Sequence, residues 1–193
     1  MTKKLVIDDS FIEKWYLKYD CLNVGGDDAD YIQIIKDVEE EVSKIGTLSE
    51  KIFRKIYNWK AARAMHHVNF SKFDDYEKAF KQATIDALKS PKKTIENFDD
   101  LPGVGIPVAS TILHFIYPKD FPIVDFRTIE VLKEADYSLD KSMGYYRDTS
   151  KGYCEFLDVT LNIAKKYTKG DIRKVDKALF AYHKLCFNSQ NKN

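Results

Sequence analysis

Along most of the chain, apolar residues return every three or four positions, the period of a helix with one buried stripe. Tyr31, Ile34, Ile35, Val38, Val42 and Ile45 show it most plainly, with Lys36, Asp37 and Glu39 to Glu41 between them and Gly46 as a stop. The acidic run is expected to form the solvated face of that helix. Ser10 to Glu13 and Thr47 to Glu50 are capping-box patterns. The first opens a helix ending before Gly25-Gly26, and the second a helix through Ile52, Phe53, Ile56, Trp59 and Ala62 to about Val68. Another helix is expected from Asp74 or Asp75 to Leu88, and Ser90-Pro91 reads as N-cap and first residue of a short helix through Phe98. Tyr153 to Tyr167 and Asp171 to Cys186 read as two more helices, parted by Lys169-Gly170. The stretch Asp136 to Gly152 lacks a clean period and reads as a loop. Strand signals are negligible, so the expected fold class is all-α.

One stretch breaks the plain helical pattern with a chemical signature. Leu101-Pro102-Gly103-Val104-Gly105 is followed by Ile106-Pro107 and an apolar run to Leu113. Two glycines around one apolar residue allow positive φ and a close backbone approach to another molecule. Pro107 in the first turn of the next helix sacrifices no hydrogen bond. The unpaired amides there form a positive end that suits a phosphate. The pattern is helix, glycine hairpin, helix over about residues 90–117. Beyond it, residues 121–132 run Phe121-Pro122-Ile123-Val124-Asp125-Phe126-Arg127-Thr128 and on to Leu132, with Asp125 at a helix start.

Leu101 to Leu132 resembles the helix-hairpin-helix DNA glycosylase superfamily, and most of all its adenine-glycosylase branch, in which L-P-G-V-G is followed after one helix by an aspartate near the start of the next. No motif-level match lies elsewhere in the chain. The resemblance implies a single helical domain over residues 1–193, in one or two lobes around a cleft. It also implies double-stranded DNA as partner, held by phosphate contacts at Leu101, Pro102, Gly103, Val104, Gly105, Ile106 and Pro107. Asp125 would be the catalytic group. Cleaving an N-glycosidic bond builds positive charge on the sugar, which a carboxylate stabilises while water attacks and a modified or mispaired base departs. The plainer reading of Asp125 is a helix N-cap for Arg127 or Thr128, and one carboxylate can serve in both ways. In members that also nick the strand, a lysine stands where this chain has Pro107, and its amine forms a Schiff base with the sugar. Its absence implies a monofunctional glycosylase without lyase activity, or a non-catalytic DNA-binding or protein-interaction module on the same frame.

Bulk properties narrow this further. The 193 residues suffice for one domain with a sizeable core, and 44% hydrophobic with 32% charged residues excludes large-scale disorder. No apolar run approaches the roughly 20 residues of a membrane span. Leu5-Val6-Ile7 is too short for a signal peptide, so no membrane and a cytoplasmic location are expected. The three cysteines, Cys21, Cys154 and Cys186, cannot supply the four-cysteine iron–sulfur cluster of many adenine-type glycosylases; no metal or cofactor is expected. A net charge of +1 counts against strong non-specific DNA binding, and Glu96, Asp99 and Asp100 would repel phosphate unless they face away from the hairpin.

Lys60 and Arg63, with Trp59, His66 and His67, are further candidates to line a nucleic-acid groove. His114 and Tyr117 face either core or cleft. Tyr145, Tyr146 and Arg147 fall in the irregular stretch, where tyrosines would wedge beside a displaced base or simply pack on the helices. A structural helical protein, in which L-P-G-V-G is only a tight turn, is a third reading.

Overall fold

The computed structural model describes residues 4–22, 28–139 and 149–187, and every regular element among them is helical. The chain divides into two compact units: a central one, Val24–Phe121, and a terminal one, built from Met1–Asn23 and Pro122–Asn193.

The central unit contains α2 (Asp28–Ile45), α3 (Glu50–Ala61), α4 (Phe73–Asp86), α5 (Pro91–Asp99) and α6 (Ile106–Ile116). It also has two 3₁₀ segments, Ala62–His67 and Phe70–Lys72, between α3 and α4. Helix α6 packs on α2, α3 and α5, and α4 on α5. The core is aromatic: Phe53, Tyr57, Tyr76, Phe80 and Phe98 are all fully buried. Phe53 has the Phe80 and Tyr76 rings 5.1 and 5.6 Å from its own. Such offset and tilted contacts add to the burial of large apolar area.

Two helix starts differ from the capping boxes. Helix α3 is capped by Ser49, whose hydroxyl and amide both donate to Glu41 at 2.7 Å. Thr47 instead donates to the Glu77 carbonyl. Glu41 therefore anchors the turn rather than joining a purely solvated face. The expected continuation of α3 to Val68 stops at Ala61, where the backbone leaves the helical region (φ −151°, ψ 46°) and the chain tightens into the 3₁₀ turn.

The terminal unit contains α1 (Asp9–Tyr19), α7 (Phe126–Glu134), α8 (Ser150–Tyr167) and α9 (Ile172–Tyr182), the last running into a π-helical turn, His183–Phe187. Helix α1 lies along α9, with the Tyr182 ring 5.3 Å from both Phe11 and Trp15. The α1 cap is Asp8 rather than Ser10: its carboxylate accepts from the Phe11 amide (2.9 Å) and from the Ser10 hydroxyl (2.7 Å). Helix α8 begins at Ser150, earlier than the apolar period indicates, because the Thr149 hydroxyl caps the buried Gly152 amide at 3.0 Å.

The two hairpin glycines differ in conformation. Gly103 has φ +80°, and a Cβ there would lie 2.8–2.9 Å from the backbone of His67 and Val68. Gly105 has φ −75° and ψ 170°, and a Cβ would meet nothing nearer than Pro107 Cδ at 3.9 Å. Gly103→Ala is therefore expected to cost about 2–4 kcal/mol, combining left-handed strain with a clash against backbone that cannot move aside. Gly105→Ala should stay within about 1 kcal/mol, the usual difference between those two residues at an N-cap. Urea denaturation of the two variants checks the contrast.

Candidate nucleic-acid interface

The hairpin is held from behind by two phenols. Tyr57 of α3 donates to the Gly103 carbonyl at 2.7 Å, with the Ala64 carbonyl a second acceptor at 3.1 Å. Tyr76 of α4 donates to the Pro102 carbonyl at 2.7 Å and accepts from the Asn69 amide at 3.1 Å. Burial, with Tyr76 adding to it, pushes the Tyr57 phenol above its ordinary value, which keeps it a donor. Within the turn, the Val104 amide closes on the Leu101 carbonyl at 3.0 Å.

The hairpin leads into the start of α6, with Gly105 at its N-cap position. The Val108 and Ala109 amides return to the Gly105 carbonyl, both at 2.9 Å, so the amides of Gly105 and Ile106 precede the first intrahelical bond. Pro107 carries no N–H. Val104 and Ile106 are buried, Pro102 and Gly105 exposed, and Leu101, Gly103 and Pro107 half-buried.

Two grooves lie near the hairpin. One, of about 700 Å³, follows the hairpin past His67, Gly103, Gly105 and Pro107. It is also lined by Asp99 and Asp100, which puts two acidic residues beside the hairpin. Partial burial first, and the Asp100 charge second, hold Asp99 above the ordinary carboxylate value. The second groove, also about 700 Å³, lies between α2 and the end of α3 and is lined by Gln33, Asn58, Trp59, Lys60 and Arg63. Ala61 borders both.

The trio Trp59, Lys60 and Arg63 read from the sequence thus shares one cleft. His66 is not among the residues lining it, and His67 lines the hairpin groove instead. The α2 side of the cleft, Gln33 and Asp37, is not legible from sequence. Asp37 is paired: a hydrogen bond from Lys55 first, and one from Gln33 second, holds it below the ordinary range. Beneath the cleft, Trp59 packs edge-on to Phe115 at 5.4 Å and lies 6.0 Å from Tyr31.

His114 is not a cleft residue. It is 1% exposed, with Nε2 at 2.7 Å from the Tyr31 hydroxyl and Nδ1 at 2.7 Å from the Phe121 carbonyl. A carbonyl can only accept, so Nδ1 carries the proton and Nε2 accepts from tyrosine. Tyr117 likewise donates within the unit, to the Thr84 carbonyl. Tyr145, Tyr146 and Arg147 lie outside the described residues.

Asp125 belongs to the terminal unit and caps α7. Its Oδ1 accepts from the Arg127 amide at 3.0 Å and from the Arg127 guanidinium at 3.1 Å, with Oδ2 at 3.4 Å from the same nitrogen. The carboxylate is 21% exposed and the guanidinium 25%. The capping reading of Asp125 is realised, and its side chain still reaches solvent.

No family model, characterised protein or solved structure matches the chain. Among the described residues no helix is long and apolar enough to cross a membrane.

His114→Phe would leave the Tyr31 hydroxyl and the Phe121 carbonyl without this partner. It is expected to destabilise the protein by about 2–4 kcal/mol, the scale for two buried polar groups losing a hydrogen bond. Thermal and urea unfolding measure it.

Proposed function

We propose that this chain is a helix-hairpin-helix DNA-binding protein that removes a modified or mispaired base as a monofunctional N-glycosylase, with Asp125 as the catalytic carboxylate. The observation that supports the DNA reading is that the hairpin groove and the cleft of Trp59, Lys60 and Arg63 are neighbours, with Ala61 in the lining of both. Together they supply helix-terminal amides for phosphate, two cations for further phosphates and an aromatic side chain suited to a base, all on one unit.

The chemistry proposed for Asp125 is hydrolytic. As the bond from the sugar carbon to the base nitrogen breaks, positive charge grows on the sugar and the carboxylate stabilises it. Water forms the new carbon–oxygen bond and its proton leaves with the base or to solvent. Pro107 stands where a Schiff-base lysine would be needed, so no covalent enzyme–sugar intermediate belongs to this scheme.

A second reading is favoured by the grip of Arg127 on Asp125. A carboxylate engaged as cap and ion pair fits a non-catalytic module that holds DNA or protein on the same frame.

The hairpin contact is tested by Gly105→Glu. Open space at Gly105 lets the fold survive, while a carboxylate among the α6 amides should weaken binding of duplex DNA at low salt. Unchanged affinity of a folded variant would remove the hairpin from the interface.

Catalysis is tested on oligonucleotides bearing a panel of altered bases, followed by alkaline cleavage of abasic sites. The wild type should leave intact abasic sites and resist borohydride trapping on DNA. Asp125→Asn should retain DNA binding and lose base release by on the order of 10²–10³ in rate. If Asp125 is only a cap, the variant loses about 1 kcal/mol or less of stability and shows no specific defect.

A further inference from the structure

Arg127, a half-buried arginine beside a candidate catalytic carboxylate, makes an unusual set of contacts. Its amide and guanidinium both address Asp125, and the guanidinium lies 4.2 Å from the Phe126 ring centre and 5.3 Å from that of Phe180. The exposed Lys184 sits over the same Phe180 ring at 5.7 Å. Two cations therefore lie against the Phe180 ring at the junction of α7 and α9, and Asp125 offsets the charge of the first of them. A phosphodiester, carrying negative charge, is attracted by both cations.

We propose that Arg127 is a positioning residue that masks Asp125 in the free protein and is drawn onto a backbone phosphate when nucleic acid binds, with Lys184 as its neighbour on the same phosphate run. The guanidinium fork suits a phosphodiester as well as it suits a carboxylate. The aromatic faces of Phe126 and Phe180 let it swing between the two without losing its stacking. Phosphate engagement then frees Asp125 to face the charge that develops on the sugar, so a carboxylate neutralised in the free protein becomes available only in the complex. This inference rests on the DNA reading above.

The test is a double-mutant cycle on binding, which does not require turnover. Affinities for a short duplex oligonucleotide are measured for the wild type, Asp125→Asn, Arg127→Met and the double variant, with folding checked by circular dichroism. Asp125→Asn keeps an acceptor for the α7 cap, so the helix start is retained. Removing the carboxylate tightens binding in any background by relieving repulsion from phosphate. If Arg127 must leave Asp125 to bind, the tightening should be about two- to fivefold larger when Arg127 is present, the worth of a part-exposed ion pair. Arg127→Met should also lower the slope of log affinity against log salt by about one, the signature of one lost phosphate contact.

Equal or smaller tightening in the Arg127 background, or an unchanged salt slope in Arg127→Met, would overturn the proposal, since Arg127 would then stay on Asp125 throughout. Wild-type protein that binds no DNA would remove the DNA reading and this inference together. Binding without coupling would remove this inference alone.

Discussion

The central unit is organised around a contact with no room in it. Gly103 rests directly on the backbone of His67 and Val68, and two phenols, Tyr57 and Tyr76, hold the carbonyls on either side of the turn's entry. Three consequences follow from that single constraint. Helix α3 cannot continue to Val68, because residues 62–67 must bring their own backbone under the hairpin as a 3₁₀ turn. Tyr57 and Tyr76 must be buried with their hydroxyls still aimed at the Gly103 and Pro102 carbonyls, and the Phe53 ring packs against both. The start of α6 follows directly, with the Gly105 and Ile106 amides ahead of its first intrahelical bonds, which the Val108 and Ala109 amides make to the Gly105 carbonyl. The glycine that the fold needs is thus Gly103, whereas Gly105 leaves space for something else.

The charge around the hairpin pulls in two directions. The α6 amides offer a positive end, while Asp99 and Asp100 line the same groove and oppose an anion. The cleft on the other side of Ala61 carries Lys60 and Arg63, with Asp30 and the Lys55–Asp37 pair also in its lining. A chain with a net charge of +1 can present such a local gradient without being a strong general polyanion binder, because distribution rather than sum sets the field.

Much of the helical framework could be read from residue spacing because it depends on local periods: α2 to Gly46, α5 from Ser90-Pro91, and α7 from Asp125 all fall where the pattern puts them. The errors are at caps and at tertiary contacts. Ser10 and Thr47 look like N-caps, yet their hydroxyls donate elsewhere, to Asp8 and to the Glu77 carbonyl, so the neighbouring Asp8 and Ser49 cap instead. Trp59, Lys60 and Arg63 could be grouped from sequence because they share a helix end. Gln33 could not, since its place in the cleft depends on how α2 packs on α3. His114 was ambiguous for the same reason: its partners Tyr31 and Phe121 settle its role, and Tyr31 is 83 residues away.

The division of the chain also orders its assembly. Every residue of the central unit has been synthesised once Phe121 is made, and its aromatic core draws only on that stretch. The terminal unit is different: Glu13 of α1 pairs with Lys174 of α9 across 161 residues, and Tyr19 with Arg173 across 154. During synthesis α1 therefore emerges long before its partner exists, with the apolar side of Phe11, Ile12 and Trp15 uncovered until the last helix arrives. The loop that its docking closes contains the whole central unit, and prior collapse of that unit shortens the effective loop and lessens the entropy lost on closure.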